Sequence, residues 1–270
     1  NGQGVIALEL LNIMSSFETE GVDPISVERL HLEIEAGRLA YQDRNIYVAD
    51  PAQANVPVDA LLTTERATEL RGAIDPSQRL TNLPSPSLPN HTSTVYISVV
   101  DKDGNACSFI NTLFNNFGAG LMAPKSGVVF TNRAQGFVIE PGHLNCIAPG
   151  KRPLHTIIPG MVTKGGRAVM PFGVMGGHYQ AFGHMHFLSR FFDFGHDIQE
   201  AQDAPRIFPV PGEDVVQMEG TVPVDIIAGL EKLGHKHVVP SKPIGGSQAI
   251  WIDSERGLLC GGSDPRKDGC

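Results

Sequence analysis

Apolar residues recur at helical spacing through the first third of the chain. Val5, Leu8 and Leu11 predict the buried face of one helix, and Val27, Leu30, Ile34 and Tyr41 predict that of a second. Asp23-Pro24 or Ser26 would start the second helix, because an Asp or Ser side chain accepts from unpaired first-turn amides and proline suits the first turn. A third, short helix is predicted over residues 64–70. From Asp75 to Ser93 the period disappears, and Pro76, Pro84, Pro86 and Pro89 punctuate a polar segment. An aperiodic stretch of that length is functional, disordered or a plain interdomain linker.

Beyond it the pattern changes to that of strands. Residues 94–100 are rich in β-branched and aromatic side chains, and Asp101-Lys102-Asp103-Gly104 supplies a turn into a second strand near residues 107–110. Further strands are predicted at 128–131, 156–163 and 167–172, the last two joined by Lys164-Gly165-Gly166. A helix over 179–192 follows Gly176-Gly177, another spans 226–233, and two closing strands fit 248–252 and 257–259. Hairpins with helices between them predict a layered α+β fold rather than regular βαβ alternation.

Composition narrows the function classes. The 270 residues carry 21 basic and 29 acidic side chains, a net charge of −8, so neither a nucleic acid nor an anionic membrane is an expected partner. No apolar run reaches the roughly 18 residues of a spanning helix. The four cysteines, Cys107, Cys146, Cys260 and Cys270, form no CxxC pair and suggest neither a disulfide framework nor a zinc site. Cys107 is expected to pack as a small apolar residue inside its strand. The compartment stays open between cytoplasm and periplasm, with the cytoplasm slightly favoured. Both ends look cut, which reads as part of a longer gene product.

Three features could carry chemistry. His178, His184 and His186 invite a metal reading, but offsets of six and eight scatter them around a helix, so surface or packing histidines are expected and no metal or other cofactor. A calcium loop starting at Asp101 would end on Thr112, where a glutamate is required. Gly173-Val174-Met175-Gly176-Gly177 lies between a strand and a helix, where amides point at anything negative; a tight turn and an oxyanion site are equally good readings. Gly245-Gly246 reads as a plain turn. Finally, a proline-rich segment ends at a threonine opening a strand, and cleavage there would leave Thr94 as an N-terminal residue whose own α-amine can serve as base.

These residues together resemble the gamma-glutamyltransferase family of N-terminal-nucleophile hydrolases. The matching strings are Thr94 with residues 98–105, Thr112-Leu113, Phe117-Gly118, Pro149-Gly150-Lys151-Arg152-Pro153-Leu154, Gly173 to Gly177, Ala204-Pro205-Arg206 and Ser263-Asp264-Pro265-Arg266, with Asp43-Arg44 and Asp50-Pro51 upstream. The resemblance implies a four-layer αββα sandwich, incomplete without an upstream large-subunit portion of the same precursor. It implies that residues 1–93 end the large subunit, with a processing linker at about 75–93, that the precursor cuts itself between Ser93 and Thr94, and that 94–270 form the small catalytic subunit. Thr94 would be the nucleophile, Thr112 would orient it, and Gly176 and Gly177 would form the oxyanion hole. A homodimer of such heterodimers is compatible with it.

Departures from the pattern point to the substrate. Where the family holds an ammonium group with an Asn, an amide or acid, and an Asp, this chain has Phe114, Arg133 and Gly136; the family's paired serines become His155 and Thr156, and Tyr96 follows the nucleophile by two. The resemblance is therefore to the branch containing oxamate amidohydrolase. Arg133, Phe114, Tyr96, His155, Thr156 and His178 are the expected substrate contacts, and the expected substrate is a small amide bearing a carboxylate. A structural ion pair at a strand end is the plainer reading of Arg133. Arg206 and Arg266 are expected to pair with nearby carboxylates. The alternatives are a gamma-glutamyl hydrolase or transferase acting on glutathione-like substrates, and an inactive family member with a binding or scaffold role.

Overall fold

The computed structural model describes residues 1–81, 83 and 93–269, with the backbone but not the side chain of Ser93. Most of the expected processing linker lies outside them. Along the chain the elements are α1 (Gly4–Met14), α2 (Val27–Tyr47), α3 (Val58–Leu61), α4 (Thr64–Gly72), β1 (Ser93–Val100), β2 (Ala106–Phe114), a 3-10 turn (Arg133–Gly136), β3 (Pro159–Lys164), β4 (Arg167–Met175), α5 (Tyr179–Phe192), α6 (Ile198–Asp203), β5 (Ile207–Pro209), β6 (Val216–Met218), α7 (Val224–Lys232), β7 (His237–Val238), β8 (Gly246–Asp253) and β9 (Leu258–Ser263). They form an α+β fold in two compact units that interleave in sequence. The first comprises Asn1–Pro89, Gln135–His155 and Pro205–Ile244, the second Asn90–Ala134, Thr156–Ala204 and Gly245–Cys270.

The first unit is organised around α2. Ser26 caps it by accepting from the Arg29 amide, and Leu30, Ile34 and Tyr41 are buried along it. It packs against α1, α4 and α7 and against β5 of a small sheet ordered β5-β6-β7. Arg44 on α2 is wholly buried and stacks over Tyr41 at 4.6 Å, while its nitrogens donate to Gln3 and Asn45. Burial pushes the pKa of that guanidinium down to about 10.

In the second unit β3-β4-β8-β9 form an antiparallel sheet with β4 and β8 in the middle. Successive strand residues face opposite sides. Phe172 on β4 turns to α5, its ring 4.8 Å from His184 and 5.9 Å from Phe187. The next residue, Gly173, faces the β1–β2 hairpin so closely that a Cβ would lie 2.3 Å from the Tyr96 ring. Helix α5 and the hairpin therefore cover opposite faces of β4. The hairpin's other face, with Val95, Ile97, Val99 and Phe109, is exposed.

Several expectations change. The buried face of α1 is Ile6, Leu10 and Ile13, and Leu8 is 51% exposed; the segment is apolar on nearly all sides, so its period marks no face. Residues 128–131 form only a bridge between Met122 and Val129. Cys107 is exposed, because it falls on the hairpin face that covers nothing. The 156–163 strand starts at Pro159, and α6, capped by a reciprocal Asp197–Glu200 box, was not expected at all. Gly245 is more than a turn: at φ +67° its Cβ would meet the Met175 carbonyl at 2.4 Å.

Glu9 on α1 is fully buried, and neither carboxylate oxygen has a hydrogen-bond partner at bonding distance among the described residues. Burial first, and then the Asp43 carboxylate, raises its pKa to about 9. The folded state thus holds a proton that the unfolded chain releases above its ordinary value of 4.5, so stability falls as pH rises from there towards 9. Glu9→Gln removes that cost. Urea denaturation should show the variant more stable by at least about 1 kcal/mol at pH 8 and a shallower pH dependence.

Candidate active site

The site is built on a register change. Ser93 pairs with Phe114 but Val95 pairs with Asn111, so Thr94 faces two residues of β2, Thr112 and Leu113. Such a bulge re-aims a side chain without ending the strand. The Thr94 Oγ1 and Thr112 Oγ1 atoms lie 3.4 Å apart, and Thr112 Oγ1 also accepts from the Phe114 amide at 3.0 Å. Both threonines line a cleft of about 540 Å³ with Asn111, Leu113, Asn115 and Phe117.

Phe114 ends β2 at φ +76°, a conformation costing a bulky residue about 1–3 kcal/mol unless its surroundings enforce it. The enforcement is local. Thr131 Oγ1 and the Asn132 amide donate to the Leu113 carbonyl, and the Asn115 amide donates to Asn132 Oδ1. This clamp delivers Arg133 onto the Phe114 ring, with Cζ 4.3 Å from the centroid. Nη1 of Arg133 donates to Thr156 Oγ1 at 3.0 Å. Nε and Nη2 have no hydrogen-bond partner among the described residues, although the residue is only 5% exposed. Burial lowers the guanidinium pKa to about 10, so it stays charged at neutral pH. Among the described residues no salt bridge involves it.

The glycine turn follows β4. Gly176 has φ +120° and Gly177 φ +61°, and their carbonyls accept from the Tyr179 and Gln180 amides as α5 begins. A Cβ on Gly176 would lie 2.8 Å from Gly245 Cα. Ser108 Oγ donates to the Phe172 carbonyl and Tyr96 lies on Gly173, so the hairpin runs over β4 in the direction that carries Thr94 towards this turn.

The remaining expected contacts have other neighbours. Tyr96 is buried, its hydroxyl 2.9 Å from Ser108 Oγ, and burial raises the phenol pKa; it packs the hairpin onto β4. His178 is buried at the start of α5. His155 belongs to the first unit, where its backbone bridges the chain start, donating to the Asn1 carbonyl and accepting from Gln3. His184 and His186 are buried packing residues against Phe172 and Phe182, and burial brings the His184 pKa down to about 3. Arg266 pairs with Asp264 as expected, and Arg206 donates to the Ile244 carbonyl.

Sequence reasoning missed a buried cluster of His31, Glu35 and His235, whose ligating atoms lie within 4.8 Å of one another. His31 and Glu35 share a helix face, but His235 is 204 residues from His31, so only the fold joins them. His31 Nε2 donates to the Asp75 carbonyl, which leaves Nδ1 to accept from His235 Nε2 at 2.8 Å. Glu35 accepts from the Leu80 amide and from Arg38. These bonds tie His31, His235 and Glu35 to one another's chain segments, and the set acts as a clamp on residues 75–80.

The gamma-glutamyltranspeptidase family model matches residues 1–270. The chain is 34% identical over 275 residues to the glutathione hydrolase-like YwrD proenzyme of Bacillus subtilis, covering 100% of this chain and 52% of that one. It is 32% identical to the oxamate amidohydrolase proenzyme of Klebsiella pneumoniae, covering 99% of this chain and 51% of the relative. Among solved structures, cephalosporin acylase from Bacillus halodurans matches with a TM-score of 0.90 and 43% identity, covering 100% of this chain and 49% of that chain. The chain spans about half the length of these relatives. With a match along its whole length, it belongs to the gamma-glutamyltranspeptidase family.

Proposed function

We propose that this chain carries the catalytic centre of an autoprocessed N-terminal-nucleophile amidohydrolase acting on a small carboxylate-bearing amide such as oxamate. The Thr94–Thr112 pair at the bulge beside an open cleft is the observation that carries the reading. In the precursor, Thr94 Oγ adds to the Ser93 carbonyl carbon, the peptide C–N bond breaks, and water hydrolyses the resulting ester. Ser93 then ends in a carboxylate and Thr94 begins with an amine. That amine takes the hydroxyl proton as Oγ attacks the substrate amide. The amides of Gly176 and Gly177 receive the developing oxyanion, the leaving amine takes the proton, and water releases the acyl group.

Three further observations support this. A gamma-glutamyltranspeptidase chain from Pseudomonas nitroreducens matches 66% of this chain and 97% of its own length, and the 177 residues from Thr94 to the end are 66% of 270. The exposed apolar face of the hairpin suits cover by an upstream portion of the same precursor. Arg133, stacked on Phe114, favours an anionic acyl group over the ammonium of a gamma-glutamyl substrate.

In the full-length protein, N-terminal sequencing should find a fragment starting at Thr94. Thr94→Ala should remain uncut by intact mass and lose oxamate hydrolysis by at least about 1,000-fold; retained turnover would remove Thr94 from the mechanism. Against the wild type, release from a gamma-glutamyl anilide should be about 100-fold or more below oxamate turnover, and robust anilide release would favour the glutathione-type reading.

A further inference from the structure

Arg133 is a buried cation that the fold holds on one side and leaves without a hydrogen-bond partner among the described residues on the other. Phe114 covers its face, and Thr156 takes Nη1. The two nitrogens without partners, Nε and Nη2, are the pair whose N–H bonds run parallel along one edge of a guanidinium, the edge that matches the two oxygens of a carboxylate. A lysine at this place could not present that edge, and on Arg44 the same edge is filled by Asn45.

We propose that the Nε–Nη2 edge of Arg133 is a preformed subsite for one planar carboxylate, with Phe114 as its platform and Thr156 as the positioning residue that fixes the rotation of the guanidinium. The subsite itself stands on the geometry above; what brings the carboxylate rests on the proposed function. One source is the small-molecule substrate. The other is Ser93, which pairs with Phe114 at the start of β1 and would gain a carboxylate when the Ser93–Thr94 bond is hydrolysed. Before cutting, Ser93 offers only a neutral amide, so the two sources separate by processing state.

Full-length Thr94→Ala, which stays uncut under the proposed mechanism and keeps Arg133, should bind oxamate by calorimetry, while oxamide, of the same shape without the charge, should bind at least about 10-fold more weakly. Adding Arg133→Gln should abolish that preference, Arg133→Lys should restore it only in part, and Thr156→Val should weaken oxamate binding several-fold without affecting oxamide. Removing an uncompensated buried charge should also leave the ligand-free Arg133→Gln protein with an equal or higher Tm, whereas loss of a structural pair would lower it. Acetate then separates the sources. Binding to both uncut and processed protein assigns the edge to substrate, and binding to the uncut form alone assigns it to Ser93. The subsite is overturned if oxamate and oxamide bind Thr94→Ala equally, or if the preference survives Arg133→Gln. Should Arg133→Gln fail to fold, the oxamate–oxamide comparison in Thr94→Ala still decides. A wild type that neither cuts nor hydrolyses while Thr94→Ala prefers oxamate would sink the proposed function and leave the subsite standing.

Discussion

The one-residue register change between β1 and β2 shapes the end of the hairpin that carries Arg133. The regular ladder that pairs Val95 with Asn111 already sets Thr94 opposite Thr112, and the extra residue falls between Thr112 and Phe114. Beyond it β2 ends in a left-handed Phe114, and the Phe114 amide is turned back onto Thr112 Oγ1. A bulge alone would leave that end of the strand loose. The bonds from Thr131 and Asn132 to Leu113, and from Asn115 to Asn132, hold it, and the same bonds bring Arg133 over Phe114. The two threonines thus follow from the regular ladder and the placing of Arg133 from the distortion at its end, both on a hairpin that Tyr96 and Gly173 seat on β4.

Two buried arginines of similar setting differ in how they are paired. Arg44 and Arg133 are both nearly inaccessible, both stacked on an aromatic ring, and both lowered to about 10 by burial. Arg44 sends its nitrogens to Gln3 and Asn45. Arg133 uses one of three among the described residues. An unmatched buried donor costs about 1–3 kcal/mol and more when charged, so a ligand that met that edge would recover part of this cost.

Much of this was legible from local pattern. Ser26 announces α2, the double glycine announces α5, and the strand residues after the proline-rich segment announce β1. The misses have physical causes. Strands β5, β6 and β7 are two or three residues long and carry no period. The apolar α1 could not reveal its face, and Cys107 was placed inward because a strand was read without knowing which of its faces is covered. The His31–Glu35–His235 clamp depends on a contact 204 residues apart. At the site, the pattern pointed to Thr94 and the family resemblance to Thr112 and Arg133, but the left-handed turn at Phe114 and the unpaired edge of Arg133 exist only in three dimensions.

The net charge of −8 conflicts with the proposed anionic ligand only while charge is treated as uniform. Charges more than about 8–10 Å apart across solvent are largely screened at physiological ionic strength. A carboxylate about 4 Å from a guanidinium gains on the order of 4 kcal/mol at the effective dielectric of a partly buried site. The acidic exterior therefore governs what approaches the protein in general, and under the proposed reading one desolvated arginine on an aromatic platform governs what stays. Selectivity follows from the same imbalance. A group with no negative charge leaves the Arg133 edge unmet, and an ammonium would add a second positive charge beside it.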